Sequence, residues 1–410
     1  MRILIATYWG LPSLGGLDQY VRQLKRGLEA RGHEVDIFCK APDDSGYQML
    51  NKGLFLSKSS VQPMISAKAD TCFAKHLPGL DQRIKDMEID KYCYEAAAAY
   101  LCPQPYDIIH TQDVVSARAF TRIGHSQSAR VSTIHGCLAT ESLARFRMDG
   151  WLNDNYRSTP LWHYYGLIEH FGIIQNHETI MPTGWLKGIY SQEYQVPADR
   201  MTIVPYGMDI EEFLNEMNQP SVTPHAGEKK IILCSARFDP VKGHVHLLGA
   251  LSQLKNVRDD WVCWLAGEGA LEERLREQVA AFGLQNDVVF LGKRGDIPAL
   301  LKKSDVVVLP SLQDNHPFAI MEAQVAGKPL IASNAGGIPE MVTQESTGLI
   351  FPAGNDHDLF RNLLNLLNNE WLRSWLSEQS QAWSQRYWSL PVMIDRIAAV
   401  YELALQKSRR

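Results

Sequence analysis

Short apolar runs and stretches of helical periodicity alternate along most of the chain, and together they predict an α/β protein. Arg2 to Tyr8 reads as a first buried strand, followed by a glycine-bearing loop from Leu11 to Gly16. From Leu17 to Ala30 the apolar residues Leu17, Tyr20, Val21, Leu24 and Leu28 fall on one helical face, with Arg22, Lys25, Arg26 and Glu29 elsewhere. Gly32 ends that helix, and Glu34 to Cys39 is the next strand. Pro42 to Pro105 carries a weak pattern, read as an irregular segment and a helix near Asp86 to Leu101. Tyr106 to His110 and Arg130 to Ile134 are further strands, and Ile180 to Tyr194 a strand and a helix. Met201 to Val204 is one more strand. Cys137 to Tyr165 is aromatic-rich without a clear period, and is expected to border an acceptor site.

Glu216 to Lys229 is polar and contains Pro220, Pro224 and Gly227, as a linker would. The alternation then restarts. Strands are predicted at Ile231–Ser235, Trp261–Ala266 and Val288–Leu291, and helices at Val245–Lys255, Leu271–Phe282 and Ile297–Lys302. The sharpest unit spans Asp305 to Glu340. Val306 to Leu309 is a buried strand closed by Pro310 and Ser311, and a loop runs to His316. Pro317 suits the first turn of a helix that stops at Gly327, and Leu330 to Ser333 is a second strand. The free N–H groups of Phe318, Ala319 and Ile320 would then face the carboxyl edge of a sheet, where a phosphate can sit. Asp314 before the helix and Glu322 within it can both face one ligand. A strand at Gly348 to Phe351, a helix from Asp358 and a last helix from Val392 to Leu405 complete the pattern. Two successive alternations predict two doubly wound domains with a cleft between them. Their expected bounds are 1–205 and 229–385, with a linker at 206–228 and a segment at 386–410 that returns to the first domain.

Composition narrows the class. A chain of 410 residues exceeds one small core, and a net charge of −5 argues against a broad nucleic-acid surface. The seven cysteines are scattered without a CxxC pair, which points to reduced thiols and a cytoplasmic protein. MRILIATYWG reads as a strand rather than a signal peptide, and no apolar run is long enough to span a bilayer.

Several residues carry candidate chemistry. Gly15 and Gly16 let a backbone loop approach something closely, although with Gly10 they do not form the GxGxxG fingerprint. Arg237 and Lys242 lie on one strand-to-helix loop, where both can reach one diphosphate and neutralise charge on a leaving group. His135 ends a strand beside Gly136, a position more often structural than catalytic. Asp356-His357-Asp358 is a literal DxD, but it opens a helix, where aspartate is a favoured N-cap. His244 and His246 are two residues apart at a helix start, the wrong spacing for one helical face. No metal site is expected.

In its ordered motifs the chain resembles the family 4 glycosyltransferases, retaining enzymes of the GT-B fold. The motifs are GGLDQYVRQLKRGLEARGHEV, STIHG, VPYGMDIEEF, SARFDPVKG, LAGEGALEERLR, VVFLGKRGDIPALLKKSDVVVLPS, the Asp314–Glu322 stretch, GGIPEMV and TGLIFPAGN. The resemblance implies two Rossmann-like domains facing across a cleft, with the final helix crossing back to the first. It implies that Gly16, with Gly15, approaches the donor phosphate and that Arg237 and Lys242 bind the diphosphate. Pro317, Phe318 and Ala319 would start the phosphate-facing helix, Glu322 would hold the ribose, and the Lys293-Arg294 loop would border the base. His135 would contact the donor sugar near the scissile bond, which reverses the structural reading of that histidine. One position departs from the pattern. The family usually has glutamate eight residues before the ribose-binding glutamate, and Asp314 is one methylene shorter.

The expected activity is retaining, metal-independent transfer of a sugar from a nucleoside diphosphate, UDP or GDP, to a hydroxyl acceptor. The acceptor would be a glycan, a glycolipid or a small molecule, and no cofactor is expected. A sugar-nucleotide 2-epimerase and a noncatalytic sugar-nucleotide-binding protein remain open on the same fold. Peripheral contact at the inner face of a membrane is a variant, since Arg22, Lys25, Arg26 and Arg31 lie near the first helix.

Overall fold

The computed structural model describes residues 1–13, 15–124, 127–142 and 155–409. It divides into two compact units, Met1–Pro205 with Met393–Arg410, and Tyr206–Val392.

The first unit is built on an eight-stranded sheet in the order β4-β3-β2-β1-β5-β6-β7-β8. The strands are β1 Arg2–Gly10, β2 Glu34–Lys40, β3 Gly46–Met49, β4 Leu54–Ser57, β5 Ile108–Thr111, β6 Ala129–Thr133, β7 Glu178–Met181 and β8 Met201–Ile203. All pairings are parallel except those of the β3–β4 hairpin at one edge. Ile3, Leu4, Ile5 and Ala6 of β1 are completely buried, which is why that strand reads as a continuous apolar run. The helix Gly16–Ala30 buries Tyr20, Val21, Leu24 and Leu28, most of its predicted stripe.

Among the described residues of this half, the helices Lys58–His76, Val114–Arg122 and Pro160–Ile174 and the hairpin were not legible. Lys58–His76 contains Pro63 and buries only Val61, Ala69 and Phe73, too few anchors to show a period. Val114–Arg122 is short, and Pro160–Ile174 is aromatic and apolar on most faces. Within the stretch expected to border the acceptor, residues 143–154 lie outside the described ones.

The last helix, Leu390–Ser408, joins the first unit from Met393 onward. Tyr401 Oη lies 2.7 Å from Nδ1 of the buried His110, Arg31 pairs with Asp395 at 2.5 Å, and Lys407 with Glu178 at 2.6 Å. The crossing falls inside one continuous helix rather than at 386, because helical pattern alone does not mark where a helix changes domain.

The second unit is a six-stranded parallel sheet in the order β11-β10-β9-β12-β13-β14. Its strands are β9 Lys230–Ser235, β10 Trp261–Ala266, β11 Val288–Gly292, β12 Val306–Leu309, β13 Leu330–Ser333 and β14 Leu349–Phe351. The order reverses between β9 and β12. In open α/β sheets such a switch point opens a crevice at the carboxyl ends of the two strands.

The 206–228 segment, expected as a linker, belongs to this unit. It carries the helix Ile210–Met217, capped by Asp209, which packs against the helix Ile297–Lys303. Beyond that helix, Ser221 Oγ donates to Asp296 at 2.6 Å and Lys303 Nζ to Thr223 Oγ1 at 2.7 Å. Polar composition suggested a free tether, but these side chains spend their polarity on the domain. The amide of Met208 donates to Trp388 O at 2.8 Å and that of Leu390 to Met208 O at 2.9 Å. A helix from Glu370 to Tyr387 leads into that junction.

Candidate functional site

At the switch point of the second unit, β9 runs into the loop 236–243 and β12 into the loop 310–317. The two loops are tied together, since the Leu312 amide donates to Val241 O at 2.7 Å. Gly243 holds φ +70°, and a Cβ there would lie 1.9 Å from Pro310 O, so conformation and space both demand glycine. The short turn Pro240–Lys242, capped by Asp239, presents Lys242. Its Nζ lies 2.6 Å from Asp314 Oδ2, which also accepts from Ser311 Oγ at 3.1 Å. Side-chain exposure is 19% for Lys242 and 13% for Asp314, little enough to limit solvent screening of the pair. Arg237, by contrast, is exposed at the end of β9.

The loop after β13 supports Asp314 from behind. The Gly337 amide donates to Asp314 O at 3.0 Å, and a Cβ on Gly336, at φ +58°, would stand 1.8 Å from that oxygen. The helix Phe318–Val325 follows, with Pro317 at the N-cap position rather than within the first turn. Proline offers no side-chain acceptor there, so the N-cap leaves the first-turn amides of Phe318 and Ala319 uncapped. The helix is buried through Phe318, Ile320, Met321, Ala323, Gln324 and Val325, while Ala319 and Glu322 are half-buried. Gln324 anchors it, accepting from Trp388 Nε1 at 2.7 Å and donating to Met341 O at 2.9 Å. His316 packs between Tyr206 and Trp388 with ring centroids 4.6 and 5.1 Å away. Burial pushes its pKa down to about 3, so the ring is neutral.

Arg294 spends its guanidinium on Asp296, with contacts of 2.7 and 2.6 Å, and on Val222 O at 2.8 Å. The Asp296 carboxylate raises its pKa further. The arginine thereby braces the Lys293-Arg294 loop, while Lys293 is exposed.

The DxD resolves into helix chemistry, with one correction. Asn355, rather than either aspartate, is the N-cap, accepting from the Asp358 amide at 3.0 Å, and Asp356 and Asp358 lie in the first turn. Asp356 Oδ1 is 2.6 Å from His246 Nδ1, whereas His244 is buried edge-on to Phe238 at 5.0 Å. Burial, with Lys242 second, lowers the His244 pKa to about 4.

In the first unit the candidate residues follow β1 and β6. Gly15 is the N-cap of the helix Gly16–Ala30, with extended backbone at φ 174°, and a Cβ there would meet no atom within 4 Å. Asp18 in the first turn is already engaged, by the Ser13 amide at 3.2 Å and by Arg22 at 2.9 Å. His135 leaves β6 half-buried, with Nε2 3.0 Å from Gln112 Oε1 and its ring edge-on to Tyr20 at 4.7 Å. Burial holds its pKa near 3. Glu169, which no sequence motif marks, is fully buried and bonded into the turn after His135.

Two family models match consecutive parts of the chain, Glycosyltransferase Family 4 over residues 14–212 and Glycosyl transferases group 1 over residues 215–383. The chain is a family 4 glycosyltransferase. This glycosyltransferase is 26% identical over 413 residues to the UDP-Gal:alpha-D-GlcNAc-diphosphoundecaprenol alpha-1,3-galactosyltransferase of Escherichia coli, covering 98% of this chain and 97% of that one. It is 23% identical over 435 residues to the MMP alpha-(1->4)-mannosyltransferase of Mycolicibacterium hassiacum, covering 99% of each. Among solved structures it resembles Anabaena HepE in complex with UDP, with a TM-score of 0.67 and 18% identity over 98% of this chain and 100% of that one. The sucrose-phosphate synthase of Thermosynechococcus elongatus gives a TM-score of 0.73 and 19% identity over 98% of each chain. These likenesses show the GT-B fold. Among the described residues, no helix is long and apolar enough to cross a membrane.

Proposed function

We propose that this glycosyltransferase moves a sugar from a uridine diphosphate donor to a hydroxyl of a glycan or glycolipid, with retention of anomeric configuration and without a metal. The observation that carries the reading is the arrangement at the ends of β9 and β12. Lys242 is presented there beside Asp314, Arg237 is free of burial, and a helix starts without an N-cap side chain. Two cations and a helix N-terminus answer the charge of a diphosphate and its build-up on the leaving group. Uridine is favoured because the HepE complexes hold UDP or UDP-glucose and the E. coli relative is named for UDP-Gal.

In the proposed reaction the bond from the anomeric carbon to the diphosphate breaks, and a bond to the acceptor oxygen forms on the same face. The acceptor's proton passes to the departing phosphate, so no side-chain nucleophile is needed. The protein positions the reactants and stabilises the leaving group. Glu322 is assigned to the ribose, Gly15 and Gly16 to the donor phosphate, and Asp314 and His135 to the transferred sugar.

A thermal-shift screen of UDP-, GDP- and ADP-sugars tests the donor, because a ligand that binds only the folded state raises stability by mass action. UDP-sugars should raise Tm most. NMR of the product's anomeric proton tests retention, and an inverted linkage would reject the mechanism. Undiminished turnover in chelator, restated with added magnesium, would support metal independence.

A further inference from the structure

We propose that Glu169 is a positioning residue for the His135–Gly136 turn, acting through the hydroxyl of Tyr190. The inference rests on the assignment of His135 to the transferred sugar. Glu169 lies on the helix Pro160–Ile174 and is fully buried, an expensive place for a carboxylate with no structural task. Its Oε1 accepts the Ala139 amide at 2.8 Å and faces Cys137 Sγ at 3.4 Å. Its Oε2 lies 2.5 Å from Tyr190 Oη, and that same hydroxyl lies 3.2 Å from Gly136 O. One side chain on a helix thus holds both sides of the loop that leaves β6 with His135.

Counting protons shows why the carboxyl state matters. Tyr190 has one hydroxyl proton and two acceptors within reach. If Glu169 is ionised, the proton goes to the carboxylate, and Tyr190 has none to give Gly136 O. If Glu169 is protonated, it donates to Tyr190 Oη, and Tyr190 donates onward to Gly136 O. Oε1 keeps the Ala139 amide in both states. Only the neutral carboxyl therefore completes the clamp on the peptide next to His135.

The surroundings favour that form. Among the described residues, the titratable groups facing Glu169 are Tyr190, Tyr194, Cys137 and Glu141, none of them a cation. Burial raises its pKa to about 7, against the lowering effect of the bonds from Tyr190, Ala139 and Cys137. Loss of the neutral form should therefore loosen the turn in mildly alkaline solution.

Glu169→Gln provides the test. A glutamine amide can donate to Tyr190 Oη at any pH while its oxygen accepts the Ala139 amide. Wild-type kcat should fall severalfold as pH rises from 6.5 to 8.5, and Glu169→Gln should flatten that limb while keeping the low-pH kcat. Tyr190→Phe, which removes the relay but little volume, should lower kcat at pH 6.5 to near the wild-type value at pH 8.5, flatten the limb, and leave the KM for UDP-sugar unchanged. In parallel, the ¹H–¹⁵N signals of the His135 ring should shift across this pH range in the wild type and stay fixed in Glu169→Gln. A Glu169→Gln profile that keeps the wild-type limb, with His135 signals moving as in the wild type, would overturn the proposal. If the signals behave as expected but His135→Ala turns over normally, Glu169 still positions the turn and the assignment of His135 to the sugar fails instead.

Discussion

The ammonium of Lys242 stands 2.6 Å from Oδ2 of Asp314, on loops that leave neighbouring strands of the second unit. Without a donor, the lysine's charge is already engaged by a short carboxylate. A diphosphate must share Lys242 with Asp314 or take it over. Asp314→Asn, which keeps the shape and removes the charge, should therefore tighten free UDP by roughly fivefold, equivalent to about 1 kcal/mol. It should at the same time lower turnover with UDP-sugar. Titration calorimetry reads the first effect, and unchanged or weaker UDP binding would show that the two do not compete.

Charge on the leaving group is largest in the transition state, so the cations should matter more to rate than to ground-state binding. Arg237→Ala and Lys242→Ala should each lower kcat by roughly 10²–10³-fold, the usual cost of losing one electrostatic donor to the reacting group. Steady-state kinetics at saturating donor checks this. Near-normal turnover in both variants would remove the pair from the chemistry.

Glu322 is half-buried on the helix whose first turn is uncapped, and its proposed role is to bind rather than to react. Glu322→Ala should weaken UDP by roughly 10–100-fold, as expected for hydrogen bonds to a charged group worth about 1.5–3 kcal/mol. Binding of 2′,3′-dideoxy-UDP should be equally weak in wild type and variant. If the variant still discriminates UDP from the dideoxy compound as well as the wild type does, the ribose contact lies elsewhere.

Stability should depend on pH in a direction that burial sets. His110, His135 and His316 have pKa values lowered to about 3, and His177 and His244 to about 4, all chiefly by burial. Below pH 6.5 the unfolded chain takes up protons that the folded chain refuses, so these groups withdraw stability as pH falls through that value toward 3. Glu169, raised to about 7, acts with the opposite sign, its contribution being lost as pH rises from its ordinary value of 4.5 through 7. Burial also raises the Glu95 and Asp113 carboxyls, but the five histidines outweigh these three carboxyls, so urea midpoints should fall between pH 7 and pH 4.5. Glu169→Gln should steepen that fall by removing the opposing slope. A midpoint that rises on acidification would contradict the signs assigned here.

The second unit was legible almost element by element, for a physical reason. Its strands are covered on both faces, so runs such as Val306–Leu309 stand out from the sequence, and glycines such as Gly327, at φ +62°, mark where helices must stop. What sequence spacing could not show were the contacts across loops. Arg294, whose loop was expected to border a base, closes its fork on Asp296 two residues on and also reaches Val222 O, a long-range contact that no spacing marks. Pro160–Ile174 was hidden because aromatic and apolar residues cover most of its surface, which erases the amphipathic period. Glu169 was hidden with it, since one glutamate in such a stretch becomes meaningful only once Tyr190 and Ala139 are beside it.

The central claim is that the crevice at the ends of β9 and β12 holds the two phosphates of the donor through Arg237 and Lys242. Its most direct test is the ratio of affinities for UDP and uridine in the wild type and in the Arg237→Ala/Lys242→Ala double variant. The wild type should prefer UDP by roughly 100-fold or more, as two charge-assisted contacts of about 1.5–3 kcal/mol each allow. In the double variant most of that preference should vanish while uridine binding stays unchanged. A preference for UDP that survives both substitutions would mean that the phosphates are held somewhere else.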